Sequence, residues 1–203
     1  MTEATLFREC AEAFIELLGR IRPEQWDQPG LGVWTVRSLA GHTARAVQTI
    51  EQYLSGTEPA KADIPDAETY YGSVLGGAVD NDAVTERGVA AGLALGDDPV
   101  ASVTLSLART MAVLNAQSAS RLVSVIGDRA IPLTEYLRTR VLELVVHTID
   151  LSRATGIAHS LPVAAVADTA ALAARVAVLT GSGDDLLLAL TGRAVLPDNF
   201  SVV

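Results

Sequence analysis

The stretch RVLELVVHTID, residues 140–150, is largely apolar, yet it carries Glu143 and His147 four residues apart. On a helix that spacing stacks the carboxylate and the imidazole on one face, a turn apart. Burying either group without a partner costs several kcal/mol. Two explanations fit. An E-x-x-x-H pair supplies two of the ligands a metal ion needs, and it equally suits the ion-paired, wet face of a surface helix. The polar stripe is longer than the pair. Tyr136, Arg140, Glu143, His147 and Asp150 fall within less than a quarter-turn of the wheel. Leu137, Leu144 and Leu151 flank the stripe on one side, and Leu142 and Val146 on the other.

A second segment, VRSLAGHTARAVQTIEQYL, bears on the choice. Its wheel gathers Leu39, Ala46, Val47, Ile50 and Tyr53 on the apolar face and puts Arg37, Ala44, Glu51 and Gln52 outside. His42 falls at the edge of the apolar face, turned inward, with no partner in its own helix. Facing helices of a bundle are where carboxylate and imidazole ligands converge on a metal. His42, Glu143 and His147 offer two nitrogens and one oxygen, and three protein ligands leave a coordination position open, as in catalytic zinc sites. The same set suits nickel, iron or manganese. His159, in the Gly/Pro-flanked loop TGIAHSLP, reads as an ordinary exposed histidine.

Elements able to position such a site follow from periodicity and punctuation. Residues 3–20 form a first helix, and the Pro/Gly-rich IRPEQWDQPGLGVW a loop. Thr35 caps a helix that stops at Ser55-Gly56. Residues 57–80 are a long connection holding one or two helical turns. Further helices are expected at 81–95, and at 99–123 with a Pro near its start. VSVIGDRAIPL, with its Gly-Asp turn, suggests a small hairpin near 124–133. Thr134 is the expected cap of a helix to Ala154 that ends at Thr155-Gly156, followed by helices at 163–179 and 184–193 and a tail. The four longest helices suffice for a bundle. The expected class is all-α, with a metal-binding bundle over 1–160 and a helical extension over 161–203 packed on it.

Composition sets the limits. Apolar residues make up 49% and charged residues 19% of 203 residues, ample for one core. Aromatics at 4% leave Ala, Val and Leu to fill it. The net charge is −9, and Lys61 is the only lysine beside fourteen arginines, none of them clustered. A nucleic-acid partner is excluded on that ground. Cys10 stands alone, which rules out a disulfide framework and favours a small buried hydrophobe. No stretch approaches the roughly 18 uninterrupted apolar residues of a membrane span, and the N-terminus lacks a signal-peptide core. A cytoplasmic monomer or homodimer is the expectation.

GVWTVRSLAGH (32–42) and YLRTRVLELVVHTIDLSRATG (136–156) resemble the two signature stretches of the mycothiol-dependent maleylpyruvate isomerase family, within the DinB-like (YfiT-like) superfamily of four-helix-bundle metalloproteins. The ending LLLALTGRAVLPDNFSVV is similar to the tail of shorter actinobacterial members. The resemblance implies a His–Glu–His metal triad, which falls on His42, Glu143 and His147. It implies a divalent metal, zinc first, and mycothiol as a co-substrate whose sulfur takes the open position as a thiolate. That thiolate would attack a small electrophile, by transfer or by reversible addition that allows cis–trans isomerisation. The characterised isomerase carries an extra C-terminal domain, for which this chain ends too soon at full size. A shared fold does not carry the substrate with it. Arg140 and Asp150, a turn either side of the Glu/His pair, and Arg45, a turn beyond His42, are candidates to orient ligands or bind an anionic substrate. Trp34 is expected to pack under the helix N-terminus. A metal-dependent hydrolase and a non-catalytic metal- or ligand-binding bundle are the alternatives.

Overall fold

The computed structural model describes residues 2–74, 81–125 and 127–202. Residues 75–80, within the stretch expected to be a long connection, and Ile126, within the expected hairpin, lie outside the described residues. Four helices form the bundle: α1 (Glu3–Leu18), α2 (Val36–Leu54), α5 (Pro99–Asn115) and α6 (Leu133–Thr155). They close a ring in which α6 and α5 each touch both α1 and α2. Three more helices lie outside the ring: α3 (Ala67–Val74) against α6 and α7, α4 (Asn81–Ala94) along α2, and α7 (Val163–Leu179) against α3, α6 and α1. A short α8 (Gly183–Leu190) packs on α7. The mostly helical class is as expected, and no helix among the described residues is long and apolar enough to cross a membrane.

Local chemistry explains most boundaries. Thr2, Thr35 and Asp98 each accept a backbone N–H three residues on, from Thr5, Ser38 and Ala101, and so open α1, α2 and α5. Gly156, at φ +71°, closes α6 in the left-handed conformation that favours glycine. Phe7, Phe14 and Leu17 from α1, Leu39 and Ile50 from α2, Val103 from α5 and Leu144 from α6 fill the centre at 1% exposure or less. Each such side chain contributes roughly 1.5–3 kcal/mol by leaving water. Cys10 belongs to this core, and burial pushes its thiol up to about 12.

The structure corrects four expectations. The helix expected over 99–123 stops at Asn115, because Leu122–Val125 (β3) pairs antiparallel with Arg129–Pro132 (β4). Val123 and Val125 bury on alternate positions there, a strand period that claims the helix's last residues. Thr134 is not the cap of α6. That helix begins at Leu133 behind Pro132, and the Leu133 N–H donates to the Arg121 carbonyl, so the hairpin does the capping. Ala44, placed outside on the α2 wheel, is 1% exposed, since α4 covers that side of α2. Another small sheet, Pro29–Leu31 (β1) with Trp34–Thr35 (β2), forms in the stretch expected to be loop.

The α2–α4 contact depends on glycine. A Cβ on Gly41 would lie 2.1 Å from the Gly92 nitrogen, and one on Gly92 would lie 2.7 Å from the Arg37 carbonyl oxygen. Both obstacles are backbone and cannot rotate away. Gly41→Ala is therefore expected to lower stability by about 1–3 kcal/mol through overpacking, read as a lower urea midpoint at unchanged slope.

α3 is held by charge. Arg138 grips Glu68 with two donors, at 2.7 and 3.0 Å, and Arg175 adds a third at 3.2 Å. The Arg138 hydrogen bonds hold the Glu68 carboxyl at about 2 instead of 4.5. A carboxyl depressed on folding stabilises fully above its unfolded value and loses that contribution as pH falls toward the folded one. Stability should thus fall between about pH 5 and 2 less steeply in Glu68→Gln than in wild type, as followed by denaturant titration across that range.

Candidate metal centre

His42 lies two turns into α2, and its place is set by the Thr35 cap below it and the Gly41–Gly92 contact beside it. Trp34, on β2, stacks on the His42 imidazole with ring centroids 4.6 Å apart. Its indole N–H donates to the Thr85 carbonyl at 3.1 Å, and Gly88 leaves the space the indole fills. Trp34 thus packs against His42 and α4, covering a candidate metal ligand, where packing under the helix N-terminus without such a contact was expected. α6 supplies the other groups. Its polar stripe faces inward: Tyr136 is 1% exposed, and the Arg140, Glu143, His147 and Asp150 side chains only 12–23%. The wet-face explanation fails on that burial.

The triad comes together. Glu143 Oε2 stands 3.3 Å from His147 Nε2 and 3.9 Å from His42 Nε2, and one ligand atom from each residue lies within 4.8 Å of the others. Adjacent ligands of a tetrahedral ion with bonds of 2.0–2.2 Å stand about 3.3–3.5 Å apart. The His147–Glu143 pair meets that spacing, His42 stands wider of Glu143 at 3.9 Å, and the three ligand atoms span up to 4.8 Å, so a bound ion would draw His42 toward the other two. His147 Nδ1 lies 3.1 Å from Asp150 Oδ2, which fixes the ring and leaves Nε2 directed at Glu143. The donor set therefore fits a borderline divalent ion such as zinc.

Electrostatics separates the two imidazoles. Burial, helped by His147, Arg45 and Arg140, pushes His42 down to about 4 against the pull of Glu143, so the ring is neutral with its lone pair available. Among the described residues, His42 Nδ1 is buried without a hydrogen-bond partner. For His147, burial is outweighed by hydrogen bonds to Asp150 and Glu143, which raise it to about 9. Desolvation likewise opposes the charge on Glu143, yet His147, Arg140 and His42 together hold it at about 2. Its charge persists at every working pH.

The structure brings all six sequence candidates to one region with different contacts. Asp150 supports His147. The Arg140 guanidinium lies over the Tyr136 ring at 4.8 Å, donates from Nε to Thr139 Oγ1, and approaches Glu143 only to 3.8 Å. Arg45 is half-buried one turn along α2, near enough to His42 to lower its basicity. His159 is exposed, as expected. Sequence reasoning missed Tyr71, on α3, whose hydroxyl reaches Glu143 Oε1 at 3.2 Å. The available signal was Asp66, which accepts the Thr69 N–H at 2.7 Å and so opens a helix carrying the Tyr70–Tyr71 pair.

The family described as mycothiol maleylpyruvate isomerase N-terminal domain matches the chain over residues 7–152. The chain belongs to that family. Its helical bundle is consistent with the DinB-like superfamily. No curated protein and no solved structure matches it. The matched span contains all three residues of the triad as well as Arg45, Tyr71, Arg140 and Asp150.

Removing the Asp150 carboxylate tests the His147 geometry. Asp150→Ala is expected to weaken zinc binding by about 10–100-fold, measured by competition with a chromophoric chelator, with helicity by circular dichroism unchanged.

Proposed function

We propose that this mycothiol maleylpyruvate isomerase-family protein is a metal-dependent enzyme that uses a low-molecular-weight thiol, mycothiol, to transfer sulfur to, or isomerise, a small electrophile. The observation that carries the reading is the convergence of His42, Glu143 and His147 from two facing helices, with three protein ligands and hence room for a further one. Zinc is the preferred ion, and nickel, iron and manganese are compatible with the donors. When bound, the ion supplies the positive charge that keeps a thiol sulfur anionic near pH 7, where a free thiol of pKa near 8.5 is mostly protonated.

The chain's own residues have separable tasks in this reading. Asp150 holds the His147 ring in place. Trp34 excludes water from one face of His42. Arg140 and Arg45 provide positive charge beside the triad and attract the anionic part of a thiol or electrophile. Arg140 is the better placed, because its guanidinium is held over Tyr136 and its Nη2 stands 3.8 Å from Glu143, outside hydrogen-bond range. Cys10 takes no part, being enclosed in the core. A metal-dependent hydrolase needs a base to accept the proton of water. Asp150, the nearest spare carboxylate on α6, is engaged by His147 Nδ1, so thiol chemistry is favoured.

Protein purified without a polyhistidine tag should carry near-stoichiometric divalent metal, lost in His147→Ala with circular dichroism unchanged. Wild type incubated with mycothiol and monochlorobimane, within a wider electrophile panel, should consume thiol in a metal-dependent way. Metal-free wild type that stays empty on zinc titration overturns the metal reading. Ester or amide cleavage without thiol consumption replaces it with the hydrolase.

A further inference from the structure

The two oxygens of Glu143 have different neighbours. Oε2 faces the imidazoles, 3.3 Å from His147 Nε2 and 3.9 Å from His42 Nε2. Oε1 points the other way and accepts from the Tyr71 hydroxyl at 3.2 Å. The other nearby donor, Arg140 Nη2, stands 3.8 Å from Oε1, beyond hydrogen-bond range. We propose that Tyr71 is a positioning residue whose O–H ties down Glu143 Oε1, so that the carboxylate offers a metal ion Oε2 alone and a coordination position stays open for thiol or substrate. The inference rests on the metal-centre reading above and adds to it the device that keeps the centre open.

A carboxylate free to rotate tends to chelate an ion through both oxygens, filling two positions instead of one. A single hydrogen bond to the outer oxygen opposes that rotation. The bond is charge-assisted, which makes it roughly twice as strong as a neutral one. Tyr71 is enclosed for the task, at 3% exposure. Its hydroxyl also lies 3.1 Å from the Thr139 carbonyl oxygen, so one hydrogen faces two acceptors. Thr139 sits inside α6, where its carbonyl already receives a helical N–H. The ionised oxygen is therefore the stronger claimant.

Tyr71 owes its position to the anchoring of α3. Glu135 Oε2 accepts the Ala67 N–H at 3.1 Å, capping α3 from α6. The grip of Arg138 on Glu68, two residues from Tyr70, ties the same helix to α6 again, and Arg175 ties it to α7. Tyr70 meets the Tyr71 ring edge-on at 5.4 Å. This set of contacts fixes Tyr71 from outside the triad, so the geometry at Glu143 depends on residues that touch no ligand atom.

Tyr71→Phe keeps the ring and removes the hydrogen bond. Zinc affinity, from chelator competition, should fall about 10–100-fold. The visible absorption of the cobalt-substituted protein should shift and weaken, as expected when a carboxylate becomes bidentate and the coordination number rises. Unchanged affinity and an unchanged cobalt spectrum, with only a lower melting temperature, overturn the proposal and leave Tyr71 a packing residue. If Tyr71→Phe does not fold, Glu68→Gln takes its place, since it loosens α3 without touching the triad. It should weaken zinc binding several-fold in the same direction, and unchanged affinity there overturns the proposal too. Wild type that binds neither zinc nor cobalt instead overturns the metal centre itself, a result distinct from these.

Discussion

The charge on Glu143 sits inside a bundle built almost wholly from aliphatic side chains, where an isolated carboxylate costs several kcal/mol, and several helices contribute to meeting that cost. α6 brings His147 and Arg140, α2 brings His42, and α3 brings the Tyr71 hydroxyl. The surrounding framework is concerned with placing those groups. The Thr35 cap and the Gly41–Gly92 contact fix α2 beside α4, and the Glu68–Arg138 grip fixes α3 against α6. A partly buried charge among partners of this kind gives little net stability, because desolvation consumes most of the attraction. In the proposed function the charge serves ligand binding more than folding.

The same balance separates the two imidazoles. His42 lies against an indole and, among the described residues, has no partner on its Nδ1, so burial dominates and the ring stays neutral. His147 has a carboxylate on each nitrogen, so partners dominate and the ring favours its proton. A divalent ion held by the proposed triad would displace that proton from Nε2 while Asp150 kept its bond to Nδ1, so its uptake would be linked to proton release at one ring of the two.

Much of this arrangement was legible from residue spacing. The E-x-x-x-H pair, the inward His42 and the caps at Thr35 and Gly156 follow from helical periodicity and local hydrogen-bond chemistry, and the bundle positions them accordingly. What was illegible depended on contacts between distant segments. Ala44 looked solvent-facing on a wheel because no sequence rule announces that α4 will lie along α2, although Gly41, Gly88 and Gly92 are the small residues that permit it. The end of α5 was overrun because an apolar run satisfies helix and strand periods alike until a partner strand claims it. Tyr71 escaped notice since its chemistry arises only where α3 meets α6.

The stacking of Trp34 on His42 has an optical consequence. The chain has two tryptophans, and one of them lies with its ring centre 4.6 Å from that of a candidate ligand imidazole. A paramagnetic ion such as cobalt or nickel seated beyond that imidazole lies within quenching distance of the indole, whereas closed-shell zinc does not quench by that route. Ultraviolet emission from the unlabelled protein therefore serves as a built-in gauge of occupancy that also distinguishes one kind of ion from another.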